Sequence, residues 1–127
     1  MRRIALLGLI VALAACNNDS TSPNGSAVGS YSLHTYNGAS IPVQVGNDVL
    51  ESDQLVLNSN GTYVDQASFQ SGFTQTEQGN WSISNNLITF QDFTDNLTYT
   101  GSLSGTVLTE TFPDTFGGSI TEVFQRQ

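Results

Sequence analysis

Few residues in this chain are of a type to do chemistry. Its 127 residues include one cysteine, Cys16, and one histidine, His34, against 11 acidic side chains. A single thiol excludes a disulfide within the chain, and an unpaired thiol in an exported protein is a candidate for modification. His34 alone would need carboxylates to complete a metal site. Acidic residues cluster at Asp48, Glu51 and Asp53, and again at Asp92 and Asp95. Calcium prefers such oxygen ligands, but neither cluster has the alternating Asp-x-Asp-x-Asp-Gly spacing of a calcium loop. Both read as solvated loops, and no metal is expected. No Gly-x-Ser-x-Gly elbow, phosphate-cradling loop or cysteine cluster is present, so neither catalysis nor a cofactor is expected. The enzymatic alternative is a hydrolase drawing on Glu110, Glu122 or His34, which would have to converge in one cleft.

The residues before Cys16 position it. Arg2 and Arg3 precede an unbroken run of apolar or small residues from Ile4 to Ala15. A basic start, a short apolar core and small residues at the cut make a secretory signal. The run has 12 residues, whereas a bilayer-spanning helix needs about 20. Leu13-Ala14-Ala15-Cys16 resembles the lipobox of bacterial lipoproteins. That resemblance implies cleavage between Ala15 and Cys16 and a diacylglyceryl group on the Cys16 thiol. Buried acyl chains contribute about 0.8 kcal/mol per methylene, so two or three of them hold a soluble domain at a membrane. In enterobacterial lipoproteins an Asp after the modified Cys retains the product at the inner membrane. Residue 17 is Asn, so the resemblance points to the outer membrane of the cell envelope.

Composition limits the partners. Beyond residue 15 the chain keeps one of its three basic residues, Arg126, and all 11 acidic ones, a net charge of −10. Nucleic acid is excluded as a partner, since phosphate neutralisation needs clustered Lys and Arg. Adsorption to anionic head groups is disfavoured for the same reason, leaving the lipid on Cys16 as the link to a membrane. Residues 16–28 are rich in Asn, Ser, Thr, Gly and Pro and read as a polar tether. Its 12 residues after Cys16 would reach about 40 Å when extended.

From residue 29 to residue 127 the texture is that of one all-β domain. Apolar residues alternate in short runs separated by Asn, Gly, Ser and Asp, with no helical period. Strands are expected over 31–36, 41–45, 55–57, 62–69, 73–83, 87–91, 97–103, 106–112 and 119–125. Pro42 suggests an edge or bulge in the second and Gly79 a bulge or bend in the fifth. Residues 92–96 read as a polar loop. About eight or nine strands with short turns predict an antiparallel up-and-down meander. Closure into a barrel removes the open edges, and a β-sandwich is the alternative.

Period two then separates the faces. The expected inward set includes Tyr31, Leu55, Leu57, Tyr63, Phe69, Trp81, Tyr99, Phe112 and Phe124. These aromatics either fill a small barrel, the default in small domains, or line a pocket for an apolar ligand. Tyr63, Phe69, Trp81, Tyr99, Phe112 and Phe124 are the candidate lumen residues. Glu110 and Glu122 fall on the same apolar faces, and a position near the rim is expected for both.

Gly29-Ser30-Tyr31, Asn60-Gly61-Thr62-Tyr63, Gly79-Asn80-Trp81, Tyr99-Thr100-Gly101 and the terminal Arg126 resemble the small lipocalin-like domains of bacterial lipoproteins. Lipocalins open with Gly-x-aromatic, usually Trp, and cover that ring with an Arg from the last strand. Mapped here, Tyr31 takes the ring's place and Arg126 the cation's, closing the barrel. The resemblance implies an antiparallel barrel and a small apolar ligand held without catalysis. The alternative is a filled barrel that contacts another envelope protein.

Overall fold

The computed structural model describes residues 27–127. The signal segment, Cys16 and most of the tether lie outside the described residues. Ten strands follow one another: β1 (Gly29–Tyr36), β2 (Ala39–Ser40), β3 (Val43–Val45), β4 (Asp48–Leu57), β5 (Thr62–Phe69), β6 (Thr74–Ser84), β7 (Leu87–Asp92), β8 (Leu97–Ser104), β9 (Val107–Pro113) and β10 (Ser119–Arg126). Every pairing is antiparallel. The run β4 to β10 is a plain meander, β10 returns to β1, and β1 pairs with β4 through Gly29↔Leu57 to Ser32↔Gln54. Eight strands therefore close a barrel, and the sandwich alternative is excluded.

The two short strands explain where the expected boundaries shift. β1 and β4 pair only at one end. Toward the other end each is flanked by its own hairpin partner, β2 on β1 and β3 on β4. The expected strand 41–45 is thus shortened to β3, with a bend through the cis Ile41–Pro42 bond before it. The β1–β2 turn is Asn37-Gly38, both at positive φ (50° and 84°), the twist that a two-residue hairpin needs. Asn37 also fastens this corner to β10. Its N–H donates to the Thr121 carbonyl at 2.7 Å, and its Oδ1 accepts from the Thr121 N–H at 2.8 Å.

Gly79 marks no bulge. The β6 ladder runs through it in unbroken register, Tyr63↔Gly79 on one side and Gly79↔Asp92 on the other. Its role is close approach, because a Cβ there would stand 1.9 Å from the Gln91 carbonyl oxygen and 3.0 Å from the Tyr63 ring.

Side-chain alternation fills one end of the barrel. Tyr31, Leu33, Leu55, Leu57, Tyr63, Trp81, Ile88, Phe90, Leu108 and Phe124 are buried there as a continuous core. Each large side chain removed from water contributes about 1.5–3 kcal/mol. The turns at this closed end are short. The opposite end carries the β1–β4 excursion and the loops 70–73, 93–96 and 114–118. Three of the exposed large apolar side chains, Phe73, Phe93 and Phe116, stand on these three loops.

Candidate functional site: an acidic lumen

At mid-barrel the inward positions change character while the period holds. On β5, Tyr63 is followed two residues on by Asp65, then Ala67 and Phe69. On β6, Glu77 precedes Gly79 and Trp81 by the same step, and on β7, Asp92 follows Phe90. Asp53 on β4, Glu110 on β9 and Glu122 on β10 complete the layer. Six of the eight barrel strands thus present a carboxyl group to one level of the interior. The other two, β8 and β1, present Tyr99 and Tyr36.

This belt lines a cavity of about 610 Å³ that extends toward the loop-bearing end. Asp95 and Asp114 line it nearer the mouth, so eight of the chain's 11 acidic residues border one space. Val45, Leu50, Leu97, Phe112 and Ile120 supply apolar wall around and above the belt. Among the described residues, no Lys or Arg lines it.

Burial and mutual repulsion set the protonation. Glu110 is 1 % exposed, and one of its oxygens, Oε2, has no hydrogen-bond partner. Burial first, then the charges of Glu122, Asp53 and Glu77, push its carboxyl well above the usual range. Glu122, its direct cross-strand partner, is pushed up to about 8 by burial and by Asp53 and Glu77. Asp53 and Asp65 lie within hydrogen-bonding reach of each other, and burial raises both, Asp65 further because Asp53 also disfavours its ionised form. Glu77 is pushed up to about 7 by burial and by Asp92 and Asp95. Oxygens of Glu77, Asp92 and Asp95 lie within 4.8 Å of one another, a spacing open to a hard cation. The belt by itself therefore stores several protons that an incoming cation would displace.

The candidate lumen aromatics divide by depth. Phe69, Tyr99 and Phe112 line the cavity. Tyr63, Trp81 and Phe124 lie in the packed base, where Trp81 Nε1 donates to the Asn58 carbonyl at 3.0 Å. Rings connect the two levels: Tyr63 meets Phe90 edge-on at 5.2 Å, Phe90 stacks on Tyr99 at 5.0 Å, and Tyr99 leans on Phe112 at 5.6 Å. Burial raises the Tyr99 and Tyr63 phenols far above their ordinary range, so both stay neutral.

Tyr31 and Arg126 meet at the base. The Arg126 Cζ stands 5.2 Å over the Tyr31 ring, and Nη2 donates to the Tyr31 hydroxyl at 2.6 Å. That hydroxyl donates in turn to the Ala27 carbonyl at 2.6 Å.

Two expectations need correction. Glu110 and Glu122 are not at a rim, since both strands extend past them to the mouth and leave them at mid-depth. Asp53 and Asp92 are not loop residues but buried inward positions of β4 and β7. Asp65 and Glu77 were hidden by their isolation in sequence, although both obey the period of their strands. His34 is exposed on the outer face of β1 and does not join the glutamates. The chain matches no protein-family model and no curated protein sequence.

Proposed function

We propose that this protein is a lipid-anchored, non-catalytic binding barrel of the bacterial cell envelope, and that its lumen takes a small organic cation with an apolar portion. One observation carries the reading: eight carboxyl groups border a cavity that, among the described residues, has no Lys or Arg on its wall, and a buried Glu110 oxygen there lacks any donor. The volume of about 610 Å³ lies within the roughly 300–1,000 Å³ of small-ligand sites. The apolar ligand expected from the sequence is narrowed to one with positive charge. A cation pairs with the belt as its protons leave, and the apolar portion meets Leu97, Phe112 and Ile120. The Leu13-Ala14-Ala15-Cys16 motif supports the anchor, with the outer membrane as its site.

Isothermal titration with hexylamine, hexanol and hexanoate tests the lumen. The amine is expected to bind, the alcohol weakly and the acid not at all. Equal binding of hexanol and hexylamine would overturn the reading. A contact surface for another envelope protein is the second reading, favoured by the exposed Phe73, Phe93 and Phe116 at the mouth.

A further inference from the structure

The belt is not uniform, and its grouping speaks to the shape of the cation. Asp53 on β4 and Asp65 on β5 are diagonal neighbours across one strand pair, within hydrogen-bonding reach of each other, and burial raises both carboxyls. That leaves two acidic groups on different parts of the wall. One is Glu110 with Glu122, adjacent across β9 and β10. The other is Glu77, Asp92 and Asp95, on β6, β7 and the turn after it. In the sheet, β8 lies between them: Asp92 pairs with Leu97 and Glu110 with Gly101, and Tyr99, on the same inward face, falls between those two positions.

A single metal ion does not answer this arrangement. Among the described residues, Glu77, Asp92 and Asp95 are the one trio with ligand atoms within 4.8 Å of one another, and the two glutamates stand outside it. A monovalent ammonium at either group leaves the other uncompensated in the same enclosed space, including the donor-less Oε2 of Glu110. Two positive centres joined by a short apolar linker would match both groups at once. The linker would lie against Tyr99, Leu97 and Phe112, which line the intervening wall.

Resting on the reading of the lumen as a cation site, we infer that its ligand class is a linear diamine or polyamine. One ammonium is held by Glu110 and Glu122, the other by Glu77, Asp92 and Asp95. The second ammonium then binds intramolecularly, at the high effective concentration of a short linker.

The test is titration calorimetry on the full chain at pH 8 with hexylamine and α,ω-diamines of three to eight carbons. A best-fitting diamine is expected to bind at least about tenfold more tightly than hexylamine, with an optimum in chain length. Glu110→Gln and Asp92→Asn should each bring that diamine to within about threefold of hexylamine, because each removes one end of the match. Both substitutions keep the side chain's shape. In Asp92→Asn the amide retains an oxygen to accept the Thr94 N–H that Asp92 accepts at 2.8 Å. Near-UV circular dichroism verifies that the variants fold. Equal affinity for hexylamine and every diamine would overturn the dication inference and leave the cation reading standing. Absence of binding by any amine would overturn both. Tight binding of calcium ions that excludes every diamine would also overturn the inference.

Discussion

Glu110 and Glu122 stand directly opposite each other on β9 and β10, both facing the lumen and both more than nine-tenths buried. Like charges so placed cannot both be present without a counterion, and among the described residues no Lys or Arg shares the cavity. The barrel by itself resolves this by holding protons, and a ligand-bound one would resolve it with the ligand.

Stability should therefore fall as pH rises. Glu122 moves from an ordinary 4.5 to about 8 on folding, and Glu77 from 4.5 to about 7. Between those values the folded state binds more protons than the unfolded chain, so folding is favoured on the acid side. The part of the loss due to these two groups begins near pH 4.5 and is complete above about pH 8. Its size is on the order of a few kcal/mol, at about 1.4 kcal/mol for each unit of a buried group's shift. Urea unfolding at pH 5 and pH 8.5 measures it. Glu122→Gln should flatten the dependence, and a barrel equally stable at both pH values would contradict the protonated belt.

Arg126→Ala should loosen the closed end. It removes the guanidinium over the Tyr31 ring and the 2.6 Å hydrogen bond to the Tyr31 hydroxyl. The combined cost is about 2 kcal/mol, read as a lower urea midpoint at unchanged slope. Arg126→Lys should recover only part of it, because an ammonium lacks the planar face.

Gly79→Ala should be among the most damaging single substitutions. The new methyl would collide with the Gln91 carbonyl oxygen, which is backbone and cannot step aside. A loss above about 3 kcal/mol, or failure to recover folded protein, is expected. Gly72→Ala is the control. Its φ of 96° imposes strain, but its Cβ would meet nothing within 4 Å, so a cost near 1 kcal/mol is expected.

Cys16→Ser should leave the barrel's melting curve unchanged and release the protein from membranes, by removing the thiol that would carry the lipid. Fractionation of expressing cells with anti-domain antibody reads the outcome. Retention of the cleaved variant in the membrane fraction would contradict the anchor.

Much of the barrel is legible in the alternation of apolar residues. Asn37-Gly38 and the turn at residues 104–106 announce hairpins, and meander order follows from turn length. The inward faces of β9 and β10 are also readable, with Glu110 between Leu108 and Phe112 and Glu122 between Ile120 and Phe124. Depth is not readable. Whether an inward carboxyl lies at a rim or at mid-barrel depends on how far each strand is staggered against the next. Asp53 and Asp92 were obscured by acidic neighbours that suggested solvent, and Glu77 meets Asp92 and Asp95 only through the β6–β7 pairing. The two acidic groups are a product of closure.

Arg126 is the one Lys or Arg among the described residues, and it lies at the base, while the acidic residues gather at mid-depth and mouth. The barrel is thus electrically polar along its axis. A positive solute nearing the mouth moves down a potential gradient, and an anion of equal size and shape climbs it. With screening over about 8 Å at physiological ionic strength, that gradient reaches just beyond the entrance. Capture should accordingly slow as salt is added, because the barrel sorts solutes by sign before any of them touches its wall.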